Sequence, residues 1–258
     1  MSVLEAKGLS IVFGGLKAVS NFDLSLQEGE LVGLIGPNGA GKTTVFNLLT
    51  GVYLPTTGEI HLKNKSINKM KPFKITQMGI ARTFQNIRLF KELTVIDNVR
   101  IALHFNSGYN AFQGILRTNK YFKQEEKMLE RANELLAIFG LNTKANELAK
   151  NLPYGEQRKL EIVRALATNP SVLLLDEPAA GMNPQETHDL MNLIKFIKDK
   201  FNLTILLIEH DMSLVMGICE RIVVLDYGQT IAVGTPAQIS KNETVIKAYL
   251  GEGGSLDA

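Results

Sequence analysis

The stretch Gly36-Pro37-Asn38-Gly39-Ala40-Gly41-Lys42-Thr43-Thr44 follows the apolar run Leu31-Val32-Gly33-Leu34-Ile35 and precedes residues 45–50, which read as a helix stopping at Gly51. The spacing G-x-x-x-x-G-K-[ST] between a strand and a helix is that of a phosphate-binding loop. Its glycines let the backbone wrap a phosphate chain without Cβ clashes. The loop N–H groups and the start of the following helix then point at the anion. On this reading Lys42 reaches the β- and γ-phosphates and the Thr43 hydroxyl binds Mg²⁺. The whole run, Gly36 through Thr44, becomes the candidate nucleotide cradle.

The rest of the chain is compatible with a large α/β protein built around that loop. Its 258 residues suffice for a core with a subdomain, and 45% of them are hydrophobic. The formal net charge of +2 gives no electrostatic reason to expect a nucleic-acid partner. The one cysteine, Cys219, cannot form an internal disulfide and reads as a small buried hydrophobe. Residues 1–10 lack the basic-then-apolar pattern of a secretory signal, and the apolar runs fall well short of the ~20 residues that span a bilayer. A soluble chain is expected, with any membrane role supplied by a partner.

Working outward from the loop, residues 3–13 read as two short strands broken at Lys7-Gly8, and 18–26 as another strand. A strand at 59–63 with a turn at Asn64-Lys65, a short helix at 72–78 and a strand at 80–84 follow. Residues 94–103 have helical spacing, and 105–119 are irregular. A long helix at 121–140 places Phe122, Met128, Leu129, Leu135, Leu136 and Phe139 near one face, with Gly140 as its cap. The block 88–168 is therefore expected as a helical subdomain inserted between 1–87 and 169–258. From Ser171 the α/β pattern resumes. Strands are expected at 172–175, 204–208, 221–226 and 229–233, with helices at 184–201, 211–220, 237–239 and 243–250; the tail after Gly251 reads as disordered.

Three further motifs carry chemistry. In Leu173-Leu174-Leu175-Asp176-Glu177-Pro178 a buried strand ends in two carboxylates. An acidic pair there is often only a solvated strand end. Downstream of a phosphate loop, Asp176 becomes a Mg²⁺-organising carboxylate and Glu177 the group that polarises water for attack on the γ-phosphate. In Thr204-Ile205-Leu206-Leu207-Ile208-Glu209-His210-Asp211, His210 leaves another apolar strand at the same sheet edge and can donate a hydrogen bond to that phosphate. In Asn151-Leu152-Pro153-Tyr154-Gly155-Glu156-Gln157-Arg158, Pro153 occupies the expected first position of a helix running to residue 167.

The order of phosphate loop, Gln85, helical insert, L-x-x-G-x-Q, Asp176-Glu177-Pro178 and His210 resembles the ATP-binding subunit of an ABC transporter over nearly the whole chain. The resemblance implies an α/β P-loop NTPase with a RecA-like core, an antiparallel β-subdomain and the inserted helical subdomain. It implies ATP and Mg²⁺ as cofactors and a head-to-tail dimer with a second ATPase subunit. It also implies transmembrane permease subunits at the cytoplasmic face of the membrane and, indirectly, a periplasmic or extracellular binding protein. By the same likeness Phe13 stacks on adenine and Gln85 contacts Mg²⁺ and the attacking water. Residues Leu152, Pro153, Tyr154, Gly155, Glu156 and Gln157 form the signature that faces the ATP of the partner subunit. The loop Ala180-Gly181-Met182-Asn183 crosses to that subunit.

Within the family, Arg82-Thr83-Phe84-Gln85, Pro178-Ala179-Ala180-Gly181-Met182-Asn183-Pro184, Glu209-His210-Asp211-Met212 and Ala248-Tyr249-Leu250-Gly251-Glu252 are similar to the ATPase subunits of branched-chain amino-acid importers, the longer of the two such subunits. Transporters of urea, amides or lipopolysaccharide are the alternative. A soluble ATPase of DNA repair or translation would carry a long coiled-coil insertion, tandem ATPase domains or a basic stripe, and none is visible. Pro153 and Tyr154 depart from the usual L-S-G-G-Q signature, removing a hydroxyl and a backbone N–H. Asn183 stands where aspartate is usual. Residues 86–92 correspond to the surface that receives the membrane subunit in this family, with Phe90 as its candidate anchor. Phe90→Ala is expected to leave ATP binding intact and to uncouple transport; normal uptake by that variant would contradict the assignment.

Overall fold

The computed structural model describes residues 2–105 and 118–250. The expected irregular stretch, apart from its ends, and the expected tail lie outside them. The chain divides into two compact units, residues 1–82 with 171–258, and residues 83–170.

The first unit holds two sheets. The strands of the larger are β3 (Leu31–Ile35), β6 (Ile80–Arg82), β7 (Val172–Asp176), β8 (Thr204–Ile208), β9 (Arg221–Asp226) and β10 (Gln229–Gly234). Their order across this six-stranded sheet is β10-β9-β3-β8-β7-β6. Strands β9, β3, β8, β7 and β6 run parallel, and β10 closes the edge antiparallel to β9. Every residue of β3, β7 and β8 is buried. That explains their unbroken aliphatic sequences, because parallel strands covered on both faces have no solvent side to alternate with. The β9–β10 turn falls at Tyr227-Gly228 as expected, with φ of 43° and 75°, the left-handed pair that a two-residue hairpin requires.

The second sheet is antiparallel, built from β1 (Ser2–Phe13), β2 (Leu16–Gln27), β4 (Thr57–Leu62) and β5 (Lys65–Ser66) in the order β2-β1-β4-β5. Here the sequence reading needs correcting. Strand β1 is one strand and not two. Gly8, at φ 59°, accommodates a bulge between Ala6 and Leu9 instead of ending the strand. Its N–H donates to Asp23 Oδ1 at 2.8 Å, so the kink is tied to β2. The turn between β4 and β5 lies at Lys63-Asn64, both at positive φ, one residue earlier than expected. Strand β6 stops at Arg82, short of the expected Phe84. Cys219 is buried as expected, and burial pushes its thiol up to about 12.

The second unit is helical. Helix Val95–His104 packs against both Asn119–Ile138 and Tyr154–Ala167. Thr94 caps the first of these by accepting the Asp97 N–H. The long helix buries Met128, Ala132, Leu135 and Leu136. Phe122 and Leu129, expected on the same face, are exposed. Leu129 stands at the edge of the buried stripe, about 20° around the helix from Leu136 two turns on, so the covered face narrows toward the start of this helix. Asn98 is fully buried and exchanges hydrogen bonds with both the N–H and C=O of Phe90 at 3.0 Å. That leaves the Phe90 ring half exposed under the Arg164 guanidinium.

Arg158 organises the start of this unit. It is completely buried and paired with Glu161 at 2.8 Å. It also donates to the carbonyls of Phe84 at 2.6 Å and Gln85 at 2.7 Å. Glu161 in turn accepts from the N–H groups of Phe84 and Arg88. Burial pushes the Glu161 carboxyl up, opposed by Arg158. Removing one member strands a buried charge, so Arg158→Ala is expected to cost about 3–5 kcal/mol. Chemical denaturation of the purified variant measures this; a loss under about 1 kcal/mol would contradict it.

Candidate nucleotide-binding site

Strand β3 delivers the chain into the loop at Gly36. A Cβ there would lie 2.0 Å from the Leu225 carbonyl oxygen, and one on Gly41 would lie 2.8 Å from that of Ala18. Both glycines are demanded by backbone packed behind the loop. Gly39 differs: it has φ of 81° and nothing within 4 Å of its Cβ position. One side of the loop is therefore braced and the other is open to a ligand. The brace includes the β9–β10 turn, where Gly228 donates to the Ala40 carbonyl at 2.9 Å.

Helix Lys42–Leu49 begins three residues earlier than the sequence suggested, and Gly41 caps it without a side-chain hydrogen bond. Its first N–H groups thus face the pocket with only the helix dipole to offer. Asn38, Gly39, Ala40, Gly41, Lys42, Thr43, Thr44 and Glu177 line a pocket of about 200 Å³. Lys42 is only 8% exposed, and its Nζ donates to the carbonyls of Gly36 at 2.6 Å and Pro37 at 2.9 Å. Burial pulls its pKa below the ordinary lysine range, against the carboxylates of Glu177 and Asp176. Phosphate oxygens would suit this ammonium better than carbonyls, because they carry charge.

Asp176 ends β7 and Glu177 follows it at φ 46°, a left-handed conformation that is costly for a residue with a side chain. The Glu177 N–H is held by the Ile208 carbonyl at 2.9 Å. Its carboxylate lies 3.6 Å from His210 Nδ1, and the imidazole is 62% exposed. Thus the phosphate loop, Glu177 and His210 come together as the sequence implied.

The fit to Mg²⁺ rests on few groups. Among the described residues no cluster of three His, Cys, Asp or Glu could hold a metal ion. Asp176 is 3% exposed, and one of its oxygens is 2.6 Å from the Arg82 guanidinium. Mg²⁺ in phosphate sites keeps its waters and takes one or two protein ligands plus phosphate oxygens. The exposed Thr43 hydroxyl fits that requirement as a direct ligand, whereas the Asp176 carboxylate, buried against Arg82, fits it only through the metal's waters.

Two residues at the site had no assigned role in the sequence reading. Arg82 joins Asp176 to Asn47 of the loop helix, its Nη1 lying 2.7 Å from Asn47 Oδ1. Glu209 is 1% exposed and accepts the Ala179 N–H at 2.7 Å. Its signal was present in the sequence: a carboxylate placed directly between an aliphatic strand and His210.

Phe13 is half exposed and meets Tyr53 edge to face, with ring centroids 5.1 Å apart; it does not line the pocket. Gln85 and residues 152–157 belong to the second unit. There, Pro153, expected as the first helical residue, is instead the N-cap, and helix Tyr154–Ala167 begins one residue after it. Tyr154 and Pro153 are exposed, Leu152 is buried, and Gln157 donates to the Leu152 carbonyl at 2.8 Å. Glu156 pairs with Lys144 at 2.6 Å. Asn183 caps helix Pro184–Phe201 in a reciprocal box with Glu186, both hydrogen bonds at 2.9 Å.

Known proteins resemble this chain in sequence and in fold. The family model described as ABC transporter matches residues 19–180. That of the branched-chain amino acid ATP-binding cassette transporter matches residues 229–255. The chain is 51% identical over 250 residues to the high-affinity branched-chain amino acid transport ATP-binding protein LivG of Salmonella typhimurium, covering 97% of this chain and 98% of that one. Among solved structures it resembles the ADP conformation of an ATP-binding cassette of an ABC transporter. That match has a TM-score of 0.85 and 32% identity over 98% of this chain and 100% of the other. A dimeric cassette in a post-hydrolysis state, bound to ADP and Pi, matches with a TM-score of 0.76 and 27% identity over 90% of this chain and 98% of its own. Loop, carboxylate pair, strand order and similarity along nearly the full length agree: the chain belongs to the ABC transporter ATP-binding family.

Proposed function

We propose that this chain hydrolyses ATP to power the import of branched-chain amino acids through a membrane ABC transporter. The observation that carries the hydrolytic part is the pocket shared by the phosphate loop and Glu177, with His210 3.6 Å from the Glu177 carboxylate. The amino-acid part is supported by the LivG relative and by the family model at residues 229–255.

The chemistry comes from the side chains. The loop N–H groups and Lys42 bind the β- and γ-phosphates and neutralise charge that grows on the transferring group. Glu177 accepts a hydrogen bond from the attacking water and polarises it toward the γ-phosphorus. The exposed His210 imidazole donates to the γ-phosphate and lies 3.6 Å from the Glu177 carboxylate. Bound Mg²⁺, held by Thr43 and, through its waters, by Asp176, would supply further stabilisation of phosphate charge. Phe13 takes the adenine ring.

A second ATPase subunit completes the site by bringing its own signature to this chain's loop. This chain's signature, Leu152-Pro153-Tyr154-Gly155-Glu156-Gln157, serves the partner's ATP. Because Pro153 and Tyr154 alter it, the two sites differ when the partner is a sister chain with the usual sequence. Permease subunits dock at residues 86–92, which places the chain at the cytoplasmic face of the membrane, and a binding protein delivers the amino acid from the other side.

Two substitutions test this reading in the assembled transporter. Glu177→Gln is expected to lower ATP turnover about 100-fold or more while ATP still binds, and Lys42→Ala to weaken ATP binding itself. Placing Glu177→Gln in one ATPase subunit at a time should give unequal losses. Equal losses would contradict the asymmetry, and undiminished turnover with both subunits substituted would contradict the catalytic assignment.

A further inference from the structure

Glu209 is an ionisable side chain buried at the end of an aliphatic strand, and the hydrolytic chemistry does not use it. Four aliphatic residues precede it in β8, yet it is 1% exposed. Burying a carboxylate is costly unless its oxygens are hydrogen-bonded. Both oxygens are used on backbone. Oε1 accepts the Ala179 N–H at 2.7 Å, and Oε2 accepts the His210 N–H at 3.2 Å. Oε2 also lies 4.0 Å from His210 Nδ1. Burial pushes the Glu209 carboxyl up, and the Ala179 N–H, the charge of His210 and the His210 and Asp211 N–H groups oppose it.

The position of Ala179 gives these bonds meaning. It stands two residues after Glu177, at the head of the loop 178–183. Its carbonyl accepts the Met182 N–H at 3.0 Å, and the Glu177 carbonyl accepts the Ala180 N–H at 3.2 Å. Asn183 then caps the next helix. A shift of Ala179 therefore carries both the strained Glu177 and the 180–183 turn. Two bonds fix this segment to the end of β8: Glu177 N–H to the Ile208 carbonyl, and Ala179 N–H to Glu209. The first is backbone ladder that any sequence makes, whereas the second depends on the side chain at 209.

We propose that Glu209 is a positioning residue that locks the loop 178–183 to the His210 segment, so that Glu177, His210 and the 180–183 turn adopt one joint arrangement. The inference rests on the hydrolytic reading of Glu177. It assigns Glu209 no contact with nucleotide. A displacement of about 1 Å at a catalytic group can cost on the order of 100-fold in rate, so loss of the tether should appear in kcat.

The test compares Glu209→Leu, Glu209→Gln and Glu177→Gln in the assembled transporter with wild type. Leucine fills the space and removes both acceptors; glutamine keeps an oxygen for the Ala179 N–H. Glu209→Leu is expected to lower kcat about tenfold or more with KM for ATP changed by less than about twofold. Glu209→Gln is expected to stay within about threefold of wild-type kcat. In the purified chain, hydrogen exchange at 178–183 should speed up in Glu209→Leu and not in Glu209→Gln. Wild-type turnover and protection in Glu209→Leu would overturn the inference, as would an equal loss in both Glu209 variants. If the leucine variant does not fold, a loss of about tenfold or more in Glu209→Gln still overturns it. Undiminished turnover in Glu177→Gln would instead overturn the hydrolytic reading.

Discussion

The parallel pairing of β3, β8 and β7 is the constraint on which the site depends. Ile208 pairs with Leu34 on one side and with Asp176 on the other, so the three strands end level with one another. Each strand end runs directly into a functional segment: Ile35 into the phosphate loop, Asp176 into Glu177, and Ile208 into Glu209-His210. Ligand sites of open parallel sheets lie at this edge because the loops converge there. The ladder is held by burial of strands that are aliphatic nearly throughout, each Leu, Ile or Val contributing about 1.5–3 kcal/mol when removed from water. A slip of one residue would turn every side chain over and scatter the three segments.

On that frame the charges are arranged so that each has a partner. Lys42 meets two carbonyls of its own loop, Asp176 meets Arg82, and Glu209 meets two backbone N–H groups. Glu177 is the exception in backbone rather than in charge: it carries a left-handed φ at the pocket wall. Strain of this kind persists where the surroundings overdetermine it, and here the Ile208 carbonyl and the following turn do so. Rigid backbone behind Gly36 and Gly41, with open space beside Gly39, gives the loop a preformed shape. Preformed N–H groups cost no reorganisation when a phosphate arrives.

Much of this was legible in the sequence because it rests on short local patterns. Aliphatic runs such as Val172–Asp176 and Thr204–Ile208 announce buried strands, and the glycines and lysine of the loop announce their own conformation. Features that need the third dimension escaped. Gly8 reads as a break, yet the pairing of β1 with β2 absorbs it as a bulge. Phe122 and Leu129 read as core, yet their helix buries only a narrow stripe. Arg82 and Arg158 take no role of their own from the sequence; their carboxylate partners lie at Asp176, distant in sequence, and at Glu161, a turn away on a helix whose burial the sequence does not state. The Tyr227-Gly228 turn was visible, but its grip on the phosphate loop was not.

Uptake of labelled leucine into vesicles tests most directly whether ATP consumed at the 36–44 loop moves branched-chain amino acids across a membrane. The vesicles hold the chain assembled on its permease subunits, with ATP on the chain's side and a binding protein on the other. ATP-dependent accumulation that disappears with Lys42→Ala is the expected result. ATP consumption with no leucine accumulation, or accumulation indifferent to Lys42, would contradict it.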